Sequence, residues 1–353
     1  MPRRDLAALP KAHLHLHFTG SMRVETVREM AVEHRLRLPS ALAPGSYPPE
    51  LSAADERGWF RFQRLYDAAR HCVRGEAEMR RIVREAAADD GAEGSRWLEL
   101  QVDPTSYAPF VGGITPAIEI VLDEARAVSR DARRTGSAQV AIVVAASRVR
   151  HPLEARTLAR LAAHHAGDGP GEVVGFGLSN DERRGDTADF APAFRIAERA
   201  GLLLTPHAGE LLGPTAVETT VEAIGPQRLG HGVRSVEDPR VLDLVVERSI
   251  GLEVCPGSNV SLGVYPEPGA VPLRRLVDAG AQVALGADDP LLFGSRLVDQ
   301  YETARDLGLD DAALADLARA SFAMSRAPQE VRRQAEADVD AWLAQDPGDG
   351  SGS

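Results

Sequence analysis

The chain has 353 residues, 44% of them hydrophobic, enough for the core of one large α/β domain or two ordinary ones. A formal net charge of −12 argues against an electrostatic footprint for nucleic acid or an anionic membrane, and suits a small or neutral substrate. Two cysteines, Cys72 and Cys255, write no disulfide framework, and no apolar run is long enough for a signal core or a membrane span, so a cytoplasmic protein is expected.

The first apolar stretch is LPKAHLHLHFTG (9–20), with a candidate strand over 12–17 that places His13, His15 and His17 at alternate positions. Alternate residues of a strand share a face, so all three are expected on one interior face, with His13 deepest. Two-residue steps of roughly 6.6 Å put His13 and His17 about 13 Å apart, too far to share one ion. His15 and His17 are the expected ligand pair, and His13 is expected to be structural, hydrogen-bonded to an interior partner.

Residues 22–96 form an unusually long interval: a helix over 22–35, a proline-rich loop over 38–58 and two further helical segments. Insertions of this length are often lids or binding loops. Short apolar runs then recur at 97–102, 139–146, 172–178, 201–207, 228–232, 251–256 and 281–288. Between them lie segments of helical periodicity at 115–135, 152–166, 189–200, 214–224, 237–248 and 270–279. With the first strand these make eight βα units, which fit a (β/α)8 TIM barrel with extra helices inserted after strand one better than two unrelated domains. A doubly wound sheet stays open, because periodicity does not see closure. One domain is expected over 1–344, and QDPGDGSGS (345–353) reads as a disordered tail.

Barrel chemistry gathers where strands end. His15 and His17 end the first strand, His207 the fifth (TPHAGE), His231 the sixth (LGHGV), and Asp288 and Asp289 the eighth (LGADDP). Singly, each has a bland reading: a lone strand histidine is usually a hydrogen-bonded core residue, and DDP is usually a turn or helix cap. Together they point to a metal site. Three neutral imidazoles and a carboxylate suit Zn²⁺, with a position left for a water whose pKa such an ion lowers. Glu210, three residues beyond His207, is a carboxyl group free to act as acid or base. His231 has no His-x-His partner and reads as a proton-transfer or orienting residue.

Over roughly residues 8–325 the pieces LPKAHLHLHFTGS, VVGFGLSNDE, HAGE, RLGHGVR, EVCPGSN and LGADDP occur in an order that resembles the adenosine deaminase family of the amidohydrolase superfamily. The resemblance implies a barrel with one catalytic zinc per subunit held by His15, His17, His207 and Asp288. It implies that Glu210 protonates purine N1, that His231 orients or deprotonates the attacking water, and that Asp289 contacts N7. A tetrahedral intermediate then loses ammonia, and a 6-aminopurine becomes a 6-oxopurine. The nucleobase deaminases with an H-x-E…P-C-x-x-C signature are unrelated, and that signature is absent here. Many similar amidohydrolases hold two metals bridged by a carboxylated lysine on a middle strand. The only lysine here, Lys11, precedes the first strand, so one metal is expected.

Departures from the family pattern cluster at the sugar end. Thr19 stands where adenosine deaminases usually carry an aspartate that hydrogen-bonds the ribose 5′-hydroxyl, and adenine deaminases a glutamate. Gly177 and Asn180 stand where aspartate and glycine are usual, although the Asn180 N–H could still serve ring N3, and Asp103 replaces a common serine. A site tuned to a hydroxyl discriminates against analogues lacking it, so altered readers predict an altered 5′ substituent. HFTGSM looks most like the aminodeoxyfutalosine deaminases of bacterial menaquinone biosynthesis, whose substrate carries a benzoate-bearing group there. Phe62 and Tyr66 of WFRFQRLY (59–66), or one of the many arginines, are candidates to meet that aryl carboxylate. Competing readings are an ordinary adenosine deaminase, then an adenine deaminase, another barrel metallohydrolase, or a non-catalytic binder. The expected partner is a small-molecule aminopurine nucleoside, with no nucleic acid or membrane, and a homo-oligomer is possible.

Overall fold

Eight parallel strands run in strict chain order: β1 (Lys11–His17), β2 (Ser95–Val102), β3 (Gln139–Ser147), β4 (Val173–Ser179), β5 (Leu203–Ala208), β6 (Arg228–His231), β7 (Gly251–Val254) and β8 (Val283–Leu285). The computed structural model describes residues 3–52 and 55–345. Helices such as Ile114–Thr135, Pro152–His164 and Thr187–Arg199 return the chain between strands, giving a nearly closed α/β barrel of the TIM type. β7 and β8 are shorter than their apolar runs by two residues or more. The run at 251–256 ends early because Pro256 opens a short helix, and the run at 281–288 because Asp288 turns into the left-handed region at φ 61°. The expected tail, beyond Gln345, lies outside the described residues. No helix among the described residues is long and apolar enough to cross a membrane.

The strand pleat sorts the core from the site. On β2, Leu98, Leu100 and Val102 pack outward with the helices, whereas Trp97 packs inside with Ala12, Leu14 and Val143. Glu99 and Gln101 follow Trp97 on the inner face, rising toward the strand's C-terminal end.

β1 breaks this alternation. Its pairing with β2 shifts register between His13 and Leu16, the mark of one extra residue in the strand. Leu14 stays inside, Leu16 and Phe18 face the helices, and His13 turns to the helical shell. The three histidines therefore do not share one face, because a one-residue slip flips every side chain beyond it. His13 is nonetheless buried and hydrogen-bonded as expected. Its imidazole also sits at the seam where the barrel closes. There His17 N donates to Asp288 O and Asp288 N donates to His15 O, both at 3.0 Å. Ala287 N donates to His13 Nε2, also at 3.0 Å, so the ring serves where a ladder carbonyl would.

The long interval after β1 folds as α1 (Val24–Glu33), α2 (Glu56–Arg70) and α3 (Glu76–Ala92). Asp55 starts α2 by accepting from Gly58 N at 2.7 Å, an N-cap bond. Trp59 and Phe62 form the helix's buried face, and Phe62 stacks on Phe293 beyond β8 with ring centroids 5.7 Å apart. That contact lays α2 across the C-terminal mouth of the barrel.

Candidate active site

β1, β5 and the turn after β8 bring His15, His17, His207 and Asp288 together. His207 Nε2 lies 3.3 Å from His17 Nε2, and Asp288 Oδ1 lies 3.2 Å from His17 Nε2 and 3.6 Å from His15 Nε2. Metal–nitrogen arms of 2.0–2.1 Å in a tetrahedron give donor–donor edges of about 3.3–3.4 Å. Buried His15 Nε2 has no hydrogen-bond partner within the protein. A cluster of facing lone pairs is repulsive by itself and fits one cation. Gly230 makes room for it, since a Cβ there would stand 2.8 Å from His207 Nδ1 and 3.0 Å from His15 Cε1.

Buried partners fix the candidate ligands from behind. His15 Nδ1 lies 2.8 Å from Glu253 Oε2, an arrangement that makes Nδ1–H the donor and leaves Nε2 facing the candidate cation position. Arg228 bridges Glu253 and Glu99, with Nε 2.7 Å from Glu253 Oε1 and Nη2 2.5 Å from Glu99 Oε2. Ser258 Oγ donates to Asp288 Oδ2 at 2.6 Å, leaving Oδ1 for the histidine side.

Glu210 and His231 face each other across the same space, His231 Nε2 being 3.6 Å from Glu210 Oε1 and 3.8 Å from Asp288 Oδ2. Burial, reinforced by the Asp288 charge, holds the Glu210 carboxyl well above the usual range. Burial pulls the His231 imidazole down to about 3 against the pull of Asp288. Asp289 is likewise raised by burial and then by Asp288, and its buried Oδ1 has no partner within the protein. The arrangement thus places two carboxyls biased toward their protonated forms and an imidazole biased toward its neutral form around one candidate cation site. Asn180, His231 and Asp288 all adopt positive φ, three of the five described non-glycine residues that do, so backbone strain gathers at this mouth.

Above lies a cleft of about 760 Å³. His17, His207, Asp288, Glu210, His231, Asp289, Thr19, Asp103, Asn180, Phe62 and Tyr66 all line it, while His15 is buried beneath. Gly177 is not on its wall; it lies in β4, where an added Cβ would meet Thr205 O at 3.3 Å. The Thr19 hydroxyl lies 2.6 Å from the Tyr107 hydroxyl, and both residues are buried. Asp103 turns back on its own loop, accepting from Thr105 N at 3.0 Å and Thr105 Oγ1 at 2.5 Å. Asn180 holds φ 79°, the conformation a glycine takes readily and asparagine tolerates. Tyr107, Gln101 and Trp59 are also on the wall, with Arg70 5.5 Å from the centre of the Tyr66 ring. Sequence reasoning missed Gln101 and Tyr107. For Gln101 a signal was present, since WLELQV alternates polar and apolar residues and its inner face is Trp97, Glu99, Gln101. Tyr107 lies beyond the strand in a turn and carried none.

Comparisons with known proteins agree with this geometry. The chain matches the adenosine deaminase family over residues 10–342. It is 57% identical over 344 residues to a Streptomyces coelicolor protein provisionally named an adenosine/adenine deaminase, covering 96% of this chain and 98% of that one. An aminodeoxyfutalosine deaminase from the same organism is 32% identical over 356 residues, covering 96% of this chain and 87% of its own. Among solved structures, the adenine deaminase of Arthrobacter aurescens aligns with a TM-score of 0.85 at 25% identity, covering 95% of this chain and 99% of that one. The chain belongs to the adenosine deaminase family of the amidohydrolase superfamily, hydrolases of C–N bonds that deaminate substrates of the adenine and adenosine type.

Proposed function

We propose that this enzyme deaminates an adenine nucleoside whose 5′-hydroxyl is replaced by a larger group, with 6-amino-6-deoxyfutalosine of menaquinone biosynthesis as the candidate substrate. One observation carries the reading. The position facing the sugar end holds Thr19 in place of a carboxylate, its hydroxyl engaged by Tyr107, while every group facing the C6 end is intact. The aromatic wall of Trp59, Phe62 and Tyr66, with Arg70 next to it, suits an aryl group bearing an anion.

His15, His17, His207 and Asp288 would hold one zinc per subunit, a borderline ion suited to three imidazoles and a carboxylate. When bound, it would lower the pKa of water and make hydroxide available near neutral pH. Glu210 then gives its proton to purine N1, which leaves C6 electron-poor. His231, neutral through burial, takes the proton of the attacking water as its oxygen bonds to C6. Asp289, protonated, donates to ring N7, and the Asn180 N–H serves N3. On collapse His231 returns its proton to the departing amino group, the new hydroxyl reprotonates Glu210, and ammonia leaves a 6-oxopurine. The α1–α3 segment acts as the lid of a single cytoplasmic domain whose partner is this small molecule.

A second reading, unmodified adenosine or adenine, is favoured by the name of the 57% identical relative, since the aminodeoxyfutalosine deaminase of that organism shares only 32%. Comparing kcat/KM for aminodeoxyfutalosine, 5′-methylthioadenosine, adenosine and adenine on the zinc-loaded enzyme decides between them. A wide margin for adenosine or adenine ends the 5′-modified reading.

A further inference from the structure

Four consecutive backbone N–H groups converge on one buried carboxylate. Glu182, in the turn after β4, accepts at Oε1 from Gly209 N at 2.7 Å. Its Oε2 accepts from Glu210 N at 2.9 Å, Leu211 N at 2.5 Å and Leu212 N at 3.0 Å. These amides belong to the loop that leaves β5 just after His207 and carries Glu210 itself. Gly209 lets the chain turn there, at φ 74° and with no room for a Cβ, which would stand 2.6 Å from Val217. The far side of the loop is tied to Arg234, whose N–H donates to Gly209 O at 3.1 Å and whose guanidinium donates to Leu211 O at 2.6 Å. Arg148, beside Glu182, donates to His207 O and, at 2.7 Å, to Thr187 Oγ1.

Successive N–H groups curled around one point form an anion cradle. Here the cradle is filled from within the chain, at the end of a neighbouring strand, and the residue whose backbone it grips is the one that faces the base. We infer that Glu182 is a positioning residue for Glu210, an internal anion that sets the height and direction of the acid over the purine ring. The inference rests on the deaminase reading. A carboxylate offers lone pairs at both oxygens, so it can serve four donors. An amide turns two N–H groups toward amides that also donate. Losing the grip frees the loop by the fraction of an ångström that proton transfer does not tolerate.

The test compares the zinc-loaded parent with Glu182→Gln and Glu182→Asp, using the purine from the panel above that the parent turns over fastest. Expected for Glu182→Gln is a fall in kcat of about a hundredfold, with KM within threefold and zinc still one per chain. Hydrogen exchange in the peptide containing 209–212 should quicken at the same time. Glu182→Asp, which keeps the charge but reaches less far, should recover part of the lost kcat, and if the Gln variant fails to fold it is judged alone against the parent by the same readouts. Faster exchange with kcat within threefold of the parent overturns the positioning role, as does unchanged exchange. If the parent deaminates none of the purines, the functional reading fails separately, and the clamp stands or falls on hydrogen exchange alone.

Discussion

His13 and Asp90 form a buried pair, Nδ1 of the imidazole lying 3.0 and 3.1 Å from the two carboxylate oxygens, at the seam where β1 meets the chain beyond β8. Donation from Nδ1 to Asp90 leaves Nε2 free to accept the Ala287 N–H, so one ring ties α3, β1 and the closing segment together. Of three alternate histidines, the one outside the candidate metal cluster joins the barrel's ends.

Replacing His13 by alanine should therefore destabilise the fold by about 3 kcal/mol, the cost of leaving a buried carboxylate without its partner. Zinc content per folded chain should stay the same. The His15→Ala variant should show the converse, with metal lost and the seam intact. Urea titration with metal analysis distinguishes them, and zinc loss in folded His13→Ala would refute the division of roles.

Glu210→Gln keeps the size of the side chain but removes its transferable proton. Turnover should fall at least about a hundredfold, within the range of general-acid contributions, with zinc retained at one per chain. Substantial residual activity would place the acid elsewhere.

Thr19→Asp restores a carboxylate beside the sugar end. The kcat/KM ratio of adenosine over a 5′-modified nucleoside should rise about tenfold, the worth of one charge-assisted hydrogen bond. An unchanged ratio means that position 19 does not read the 5′ group.

Lys11 gives a pH test remote from the candidate metal ligands. It is buried, its Nζ donating to Leu6 O at 2.8 Å and Glu93 O at 2.5 Å, and burial lowers its pKa to about 7 against the pull of Glu93. Above pH 7 the unfolded chain keeps this proton and the folded one releases it, so stability rises with pH up to the unfolded pKa of 10.5. Between pH 7 and 9 the urea midpoint of the parent should climb, by up to a few kcal/mol in unfolding free energy. Lys11→Met should flatten that slope, and because Lys11 is the only lysine, no other lysine blurs it. A slope that survives the substitution would show that Lys11 is not its source.

Much of this protein was legible in order alone. Eight apolar runs separated by helical periodicity pointed to eight βα units and left only closure open, because strands and helices of these lengths write their burial into the sequence at different periods. The His-x-His pair and the polar residues ending strands marked side chains that the fold brings together around one candidate cation position, since a barrel concentrates strand ends at one mouth. Other features belong to the tertiary structure. A single extra residue in β1 turned His13 to the helical shell, and a register shift leaves no trace in a pattern that still alternates. Tyr107 reaches Thr19 across 88 positions of chain, and Glu182 reaches the Glu210 loop across 28. Residues so far apart carry no mutual spacing, and only the pairing of neighbouring strands (β1 with β2, β4 with β5) sets their distance. The sequence by itself determined which chemical groups are present and at which end of the fold. Tertiary packing decided which of them touch, because hydrogen bonds between distant strands exist only once the chain has brought those strands together.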